Sequence, residues 1–366
     1  MNITRLCAYS NHSYCSNNTN QSIPTKVDTK ALLITGIGIA FGLLPNMIII
    51  VGIHKKKVFQ KPTFCLMANL ASCDLLLGIS ILSNIFMSLA VNLSKLSPII
   101  HEILCKVLST FFLYWSFNAS VQTLIIISIE RYNAILRPTK KLTSKKAKML
   151  CLLAWSLSFL ISSPFLITAT NLNKQCVAFK SHNIWVTVMM AILIAVQFVI
   201  PSAVMFTLYG LIICQLKKKD LAGRNQSINS KRLKRKTVYM LFTTTVAFII
   251  FSIPWVASLL IVAVTGKFSF ELKQDFSQPV LQSITEMGTL LLPLATVYNP
   301  VVYCIFNHNI RKLFFPYCYD RNNQINPART LNSSRSKSES RNDKFKISSR
   351  RTNHQINQLS FATNMN

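Results

Sequence analysis

Long apolar segments, separated by shorter polar and positively charged ones, run through most of the chain. Seven of the apolar segments are long enough for a helix to cross about 30 Å of hydrocarbon, which takes about 20 residues. They cover residues 31–53, 64–91, 104–129, 149–170, 184–216, 238–264 and 279–306. The pattern predicts an all-α membrane protein, a bundle of seven transmembrane helices spanning residues 31–306.

The remaining segments are polar. Residues 1–30 form a tail before the first span, and residues 318–366 form a Ser-rich tail that we expect to be disordered. Between the last span and this second tail, residues 307–317 alternate apolar side chains with Arg311 and Lys312. This segment predicts a short amphipathic helix lying along the inner membrane surface.

Composition and charge exclude further classes of protein. Only 14% of the 366 residues are charged and 51% are hydrophobic, whereas a soluble domain carries roughly 25% charged residues. The net charge of +29 would suit a nucleic-acid-binding protein if the basic residues lay on a polar domain, but they alternate with the apolar segments. The sequence therefore indicates no nucleic-acid partner and excludes an ordinary cytosolic enzyme.

Basic residues predict the orientation. The segments that follow the first, third, fifth and seventh spans hold 31 of the 40 Lys and Arg residues. Because such residues concentrate in cytosolic loops, we expect an extracellular amino terminus and a cytosolic carboxyl terminus. Four Asn-X-Ser/Thr sequences in the first tail then become glycosylation sites, unless they reflect only its Asn- and Ser-rich composition. Their acceptor residues are Asn2, Asn11, Asn17 and Asn20.

The cysteines sort by this topology. Cys105, at the outer end of the third span, and Cys176, in the second outer loop, both face the oxidising compartment, so we expect a disulfide between them. Cys7 and Cys15 also lie outside, and either pair or remain free. Cys318, which follows the short inner segment, is a candidate for palmitoylation, with a free thiol as the alternative.

Several motifs occur in order on these spans. Asn46 lies in the first span and Asp74 in the second. Glu130-Arg131-Tyr132 closes the third span, Tyr209 lies in the fifth, and Asn299-Pro300-Val-Val-Tyr303 ends the seventh. With Cys105, Trp155 and the span prolines Pro164, Pro201 and Pro254, these positions resemble the rhodopsin-like family of G-protein-coupled receptors from about residue 31 to 318.

The resemblance implies a switch at the inner face. Glu130 would hold Arg131 at rest and release it to meet a heterotrimeric G protein when the sixth span swings outward. Tyr209 and Tyr303 would then close on Arg131, with Asn299 and Pro300 weakening the seventh helix so that Tyr303 moves. Phosphorylation of the second tail by receptor kinases, followed by arrestin binding, is also expected.

Asp74 lies in mid-membrane, where an ionised carboxylate needs polar neighbours. Asn46 or Ser72 could simply pair with it. The resemblance adds Ser120 and Asn299, which with Asp74 and Asn46 could hold a structural sodium ion. No other metal or cofactor is expected. Covalent retinal is excluded because residues 279–306 contain no lysine to form its Schiff base.

The sixth span departs from the family pattern. The family usually has a tryptophan two residues before the proline, but here Ser252 precedes Pro254 and Trp255 follows it. We expect the Ser252 hydroxyl to bond back to a carbonyl one turn earlier. We also expect the smaller side chain to leave the sixth helix freer to move, which would raise ligand-independent signalling.

Aromatic side chains in the outer half of the bundle suggest the ligand pocket, although bundle packing explains them equally well. No aspartate occurs among residues 111–117, which argues against a monoamine ligand. An aromatic pocket with one acid suits a peptide with a basic or aromatic end, and a lipid is the alternative. The predicted pocket residues are Phe112, Leu113, Tyr114, Phe117, Trp185, Trp255 and Glu286.

The sequence thus predicts a multi-pass plasma-membrane receptor that senses an extracellular ligand, contacts membrane lipids through its basic inner segments and is not an enzyme. Two competing classes stay open. A channel or transporter would have more polar residues inside the membrane and duplicated halves. A non-signalling or constitutively active seven-helix protein is compatible with Ser252.

Overall fold

The computed structural model describes residues 29–55, 61–92, 97–137, 139, 142–172, 175–221, 228–272 and 278–315. Nearly all of them are helical. The first span is α1 (Thr29–Lys55) and the second is α2 (Pro62–Asn92). The third span begins as α3 (Pro98–Leu104), continues through a π-helical segment (Cys105–Phe111) and ends as α4 (Phe112–Leu136). The fourth span consists of α5 (Ser144–Ser162) and the short α6 (Phe165–Thr168).

A small hairpin connects the fourth and fifth spans. Its strands, β1 (Thr170–Leu172) and β2 (Gln175–Val177), pair antiparallel with Asn171 opposite Cys176. The fifth span comprises α7 (Ile184–Ile194), a π-helical segment (Ala195–Val199) and α8 (Ile200–Leu221). The sixth span is α9 (Ile228–Thr265), followed by the short α10 (Ser269–Leu272). The seventh span is α11 (Pro279–Leu291) plus α12 (Leu294–Phe306), and α13 (His308–Phe314) follows it.

Helix ends follow local chemistry. Thr143 caps α5 by accepting a hydrogen bond from the Lys146 amide, and Asn183 caps α7 by accepting from the Val186 amide at 3.0 Å. Pro164 and Pro293 lie at the breaks within the fourth and seventh spans, since a proline lacks the amide hydrogen that the helix ladder needs. Pro254 stays inside a continuous α9.

Among the described residues, five helices are long and apolar enough to cross a membrane, and α11 with α12, bent by 46°, makes a sixth span. The seventh is α5 with α6. The apolar part of this span is shorter than α5 itself, because the first five residues of α5 include Lys145, Lys146 and Lys148. The chain is therefore an all-α membrane bundle, as the sequence predicts.

The bundle keeps polar side chains inside as well as apolar ones. Asn46, Asp74, Ser120, Ser252 and Asn299 are each no more than 1% exposed. Spans six and seven approach closely at Gly288, where a Cβ atom would lie 2.7 Å from the Pro254 carbonyl oxygen. A larger residue at 288 would therefore push the seventh span away from the proline of the sixth.

Candidate functional site

The inner end of span three holds an ion pair, and span two adds a hydroxyl to it. Arg131 donates from Nη2 to Glu130 Oε1 at 2.6 Å and from Nε to the other carboxylate oxygen. It also donates to the hydroxyl of Thr63, the second residue of α2. Only 14% of the Arg131 side chain and 8% of the Glu130 side chain are exposed. We call Thr63, Glu130 and Arg131 the inner cluster.

Among the described residues, no hydrogen bond joins Arg131 to the other switch residues predicted from the sequence. Tyr209 and Tyr303 are each 1% exposed, and their hydroxyls have no hydrogen-bond partner among the described residues. The Tyr209 ring meets Phe242 of span six edge-on, with centroids 5.4 Å apart. Tyr132, beside Arg131, lies instead under the Arg137 guanidinium, 5.8 Å from its ring centroid. Arg131 is thus held by Glu130, which is the arrangement that the family resemblance assigns to the resting receptor.

The buried acid of span two pairs with span seven. Asn299 Nδ2 donates to Asp74 Oδ2 at 2.7 Å, and both side chains are 1% exposed. Among the described residues, neither of the simpler partners considered for Asp74 hydrogen-bonds to it. Asn46 Nδ2 donates to the Thr296 carbonyl at 2.8 Å, and Ser72 bonds back to the Ala68 carbonyl.

Three buried oxygens of the residues expected to accompany Asp74 lack a protein hydrogen bond among the described residues. They are Asn46 Oδ1, Ser120 Oγ and Asn299 Oδ1. Buried polar atoms are rarely left without partners in folded proteins. A carboxylate with neutral hard oxygens around it is the donor chemistry that a small cation prefers. We call these four residues, Asn46, Asp74, Ser120 and Asn299, the Asp74 cluster.

At the outer end, the predicted disulfide between Cys105 and Cys176 is confirmed. It ties strand β2 to span three. A second attachment was not predicted: Glu102 accepts hydrogen bonds from the Asn171 amide at 2.9 Å and from the Thr170 hydroxyl at 3.1 Å. Glu102 also pairs with Lys106 at 3.3 Å. The hairpin is therefore held over the bundle from both of its strands.

A cavity of about 380 Å³ opens beside this hairpin, within the range of small-molecule and peptide-side-chain pockets. We call it the outer cavity. Spans two, three, five, six and seven and strand β2 contribute to its wall. Its polar and aromatic lining includes Asn84, Tyr114, Trp255, Ser258, Thr285 and Thr289.

Three of the seven predicted pocket residues, Leu113, Tyr114 and Trp255, line the outer cavity, and four do not. Trp185 is 77% exposed at the start of α7. Phe112 packs against Trp115, Phe117 packs one turn deeper against Phe248, and Glu286 lies on a neighbouring face of α11. Depth in the membrane does not distinguish residues that line the cavity from residues that do not. A helix turns about 100° between successive residues, so neighbours at similar depth face different directions.

Ser252, the departure from the family pattern, lies between aromatic residues of α9. Phe248, Ser252 and Trp255 follow one another along one face of α9. The Phe248 ring lies 5.5 Å from that of Phe117, and the Trp255 ring lies 6.3 Å from that of Tyr114. Ser252 is therefore fully buried between two aromatic pairs that join spans six and three.

The expected bond from Ser252 to its own helix is wrong. Ser252 Oγ has no hydrogen-bond partner among the described residues, whereas Thr244 and Thr245 in the same helix do bond back to carbonyls one turn earlier. Trp255 Nε1 is likewise buried without a partner there. Trp255, rather than residue 252, forms the floor of the outer cavity.

The short helix α13 packs on the first span through Leu313, which lies against Gly52. Arg311 donates to the carbonyls of Cys304 and Ile305, both at 2.9 Å, which caps the end of span seven. The pKa of His308 lies below its ordinary value, first because of lost hydration and then because of nearby Lys312 and Arg311.

Some predicted sites lie outside the described residues: Asn2, Cys7, Asn11, Cys15, Asn17, Asn20 and Cys318. Two functional residues were missed by sequence reasoning. Thr63 and Glu102 carry no motif signal, since the switch and hairpin residues that they bind lie 67 or more positions away along the chain. Only the folded arrangement brings them together.

Comparison with known proteins agrees with this architecture. Residues 45–303 match the family model of the 7 transmembrane receptor (rhodopsin family). The chain is 28% identical to the neuropeptide S receptor of Macaca mulatta, over 81% of this chain and 80% of that one. It is 25% identical to C-X-C chemokine receptor type 1 of Pongo pygmaeus, over 80% and 81%. It is 27% identical to a QRFP-like peptide receptor of Branchiostoma floridae, over 78% and 76%.

The family match takes in both the Asp74 cluster and Glu130-Arg131-Tyr132, and it runs to Tyr303. The bundle, the disulfide and the inner cluster supply the structural counterpart of that match. The chain belongs to the rhodopsin family of seven-transmembrane receptors.

Proposed function

We propose that this receptor binds an extracellular peptide and, in response, promotes nucleotide exchange on a heterotrimeric G protein. The observation that carries the proposal is that span three joins the two sites. Tyr114 lines the outer cavity, and Arg131 lies 17 residues further along the same helix, in the inner cluster. At 1.5 Å per residue the two are about 25 Å apart, so a single rigid element connects ligand to G protein.

The peptide ligand is supported by the relatives. The three proteins compared above carry names that refer to neuropeptide S, a chemokine and a QRFP-like peptide, and each aligns with more than three quarters of this chain. The outer cavity has room for a side chain or chain terminus rather than for a folded partner. A peptide end entering there would contact Trp255 at the cavity floor.

Coupling to the G protein rests on the inner cluster. Breaking a partly buried ion pair is unfavourable unless the arginine finds new partners, so the resting state persists without ligand. A ligand that binds the outward-swung form of span six more tightly shifts the population toward it. Arg131 is then free for the G protein, and Tyr209 and Tyr303 occupy the space beside it.

A lipid receptor is the second candidate, and the lining of the outer cavity favours it. Most of the residues there are apolar, among them Leu113, Met190, Leu259 and Leu292. A hydrocarbon chain would fit such a wall. The two candidates share the same inner cluster and the same coupling step.

We also propose that the Asp74 cluster holds a sodium ion in the resting state. Asp74 would supply the negative charge, and the partnerless oxygens of Ser120 and Asn299 would supply neutral ligands. Bound sodium would stabilise the resting packing of spans two, three and seven.

The remaining expectations belong to the same proposal. The excess of Lys and Arg after alternate spans supports an extracellular amino terminus, a cytosolic carboxyl terminus and residence in the plasma membrane. The basic inner segments would contact anionic lipids. Receptor kinases and arrestin would act on the Ser-rich carboxyl-terminal tail.

The experiment is a nucleotide-exchange assay with purified receptor in lipid nanodiscs and purified G proteins of each main subtype. Pools of synthetic peptides and pools of lipids are added separately. Exchange that increases with a peptide pool, and that is absent from Arg131→Ala, supports the proposal. Stimulation by lipids alone would favour the second candidate.

A further inference from the structure

The outer cavity lacks ionisable acids and bases over the part of the chain that the structure describes: no Asp, Glu, Lys, Arg or His contributes to its lining. An ammonium or carboxylate inserted into such a site loses its hydration and gains no opposite charge. Neutral groups carry no such penalty. The lining therefore favours uncharged ligand groups over charged ones of similar shape.

The hydroxyl groups of the cavity add a second restriction. Ser258 donates its hydrogen to the Trp255 carbonyl at 2.7 Å, Thr285 to Gln282 at 2.8 Å, and Thr289 to Glu286 at 2.8 Å. A hydroxyl has only one hydrogen, so each of these groups presents lone pairs to a ligand.

Asn84 of span two also uses its hydrogens on protein carbonyls. The Asn84 amide nitrogen donates to the carbonyls of Ser80 at 3.4 Å and Ser109 at 3.2 Å. Its hydrogens are thus used within the protein. A neutral N–H group of a ligand would therefore find acceptors at these residues. The indole Nε1–H of Trp255, which has no partner among the described residues, is left to donate to a neutral carbonyl of the same ligand.

Charged residues near the cavity are engaged with other protein groups. Glu286, which sequence reasoning assigned to the pocket, accepts from Gln282 Nε2 at 3.0 Å. Glu102 holds the hairpin and pairs with Lys106.

We infer that the ligand enters the outer cavity through an uncharged peptide end, one whose amide N–H groups donate to the hydroxyls of Ser258, Thr285 and Thr289. This inference rests on the proposed function, since it specifies the peptide that the proposed receptor binds. It excludes the basic end, which was one of the two kinds of peptide end, basic or aromatic, that the sequence suggested. Any charges of the peptide remain outside the cavity.

The test uses three pools of synthetic hexapeptides with the same sequences, built from uncharged residues only. In one pool both ends are blocked by acetyl and amide groups. In the second the amino end is free, and in the third the carboxyl end is free. Nucleotide exchange is measured at matched receptor density, with Arg131→Ala as the background.

We expect the doubly blocked pool to reach half-maximal exchange at a concentration at least tenfold below either charged pool. A free-amine or free-carboxylate pool that is equally potent, and still Arg131-dependent, would overturn the inference and leave the peptide receptor standing. Stimulation by a lipid pool and by none of the three peptide pools would instead overturn the proposed function.

Variants of one cavity residue give an independent check. Thr289→Asp places a carboxylate in the lining and should move the preference to the free-amine pool. Thr289→Asn is of matched size without the charge and should keep the doubly blocked pool first. Thr285→Asp repeats the test on the same face of α11 in case the first variant fails to reach the surface. An unchanged preference in both aspartate variants contradicts the inference.

Discussion

Arg131 of span three donates a hydrogen bond to the Thr63 hydroxyl at the start of span two, in addition to its ion pair with Glu130. This contact lies outside the Glu-Arg-Tyr motif and links two helices. It means that Arg131 is held from span two as well as from its own helix. Freeing Arg131 therefore requires the loss of both contacts.

Thr63→Val should raise ligand-independent nucleotide exchange, because it keeps the size of the side chain and removes the hydroxyl. A hydrogen bond to a charged group contributes about 1.5–3 kcal/mol, and even 1.4 kcal/mol corresponds to about tenfold in the active population. Thr63→Ser keeps the hydroxyl and should behave as the wild type. Equal exchange by the valine and serine variants would show that Thr63 does not restrain Arg131.

Asp74→Asn should abolish any sodium dependence of ligand-independent exchange, because it removes the only acid of the Asp74 cluster while keeping a side chain of the same size. The assay compares sodium with potassium chloride at equal ionic strength. Ser72→Ala is the control, since Ser72 lies on the same helix and bonds only to the Ala68 carbonyl. If sodium continues to suppress exchange in Asp74→Asn, the ion is not held there.

Cys105→Ala and Cys176→Ala should each lower surface expression or ligand binding, since each breaks the attachment of strand β2 to span three. The double variant should be no worse than either single variant, because the same bond is lost in all three. Surface labelling and binding of the active peptide pool provide the readouts. Losses that add in the double variant would mean that the two cysteines act separately.

Ser252→Ala should lower ligand-independent exchange. In the resting arrangement the Ser252 hydroxyl is buried with no hydrogen-bond partner among the residues that the structure describes, which destabilises that arrangement by about 1–3 kcal/mol. Outward movement of span six opens the surroundings of Ser252, so we expect the hydroxyl to gain partners in the active arrangement. A tryptophan at this fully buried position would overpack it, and alanine is the more informative change.

The control for Ser252 is Thr244→Val, also in span six, where the hydroxyl is already bonded to the Met240 carbonyl at 3.0 Å. Removing that hydroxyl should not change the balance between resting and active arrangements. At matched surface levels, exchange by Ser252→Ala at or above the wild-type level would contradict the account of Ser252.

The sequence predicted the bundle and the disulfide because hydropathy and compartment depend on composition over whole segments. It predicted the pocket less well, since lining a cavity depends on the face of a helix that each residue occupies. Sequence periodicity also assumes uniform α-helix, whereas π-helical turns interrupt span three at Cys105–Phe111 and span five at Ala195–Val199. Such turns change which residues face inward. Phe112 follows one of them and Trp185 precedes the other.

Contacts between residues far apart along the chain were also hard to predict from the sequence. Asn299 and Asp74 are 225 positions apart, and only the family resemblance associated them before the structure did. Thr63 lacked such help and was missed. Ser252 was recognised as unusual from the sequence, but its hydrogen bonding depends on neighbours in span three that the sequence of span six does not contain.

The central claim is that Arg131, restrained by Glu130, governs nucleotide exchange on a G protein. The most direct measurement is GDP release from purified G protein, with wild type, Glu130→Gln and Arg131→Ala in nanodiscs at equal receptor amounts. We predict release that rises in Glu130→Gln, because the ion pair is weakened, and that falls in Arg131→Ala to the rate of the G protein alone. Arg131→Ala that matches the wild type, with both above the G protein alone, would contradict the account.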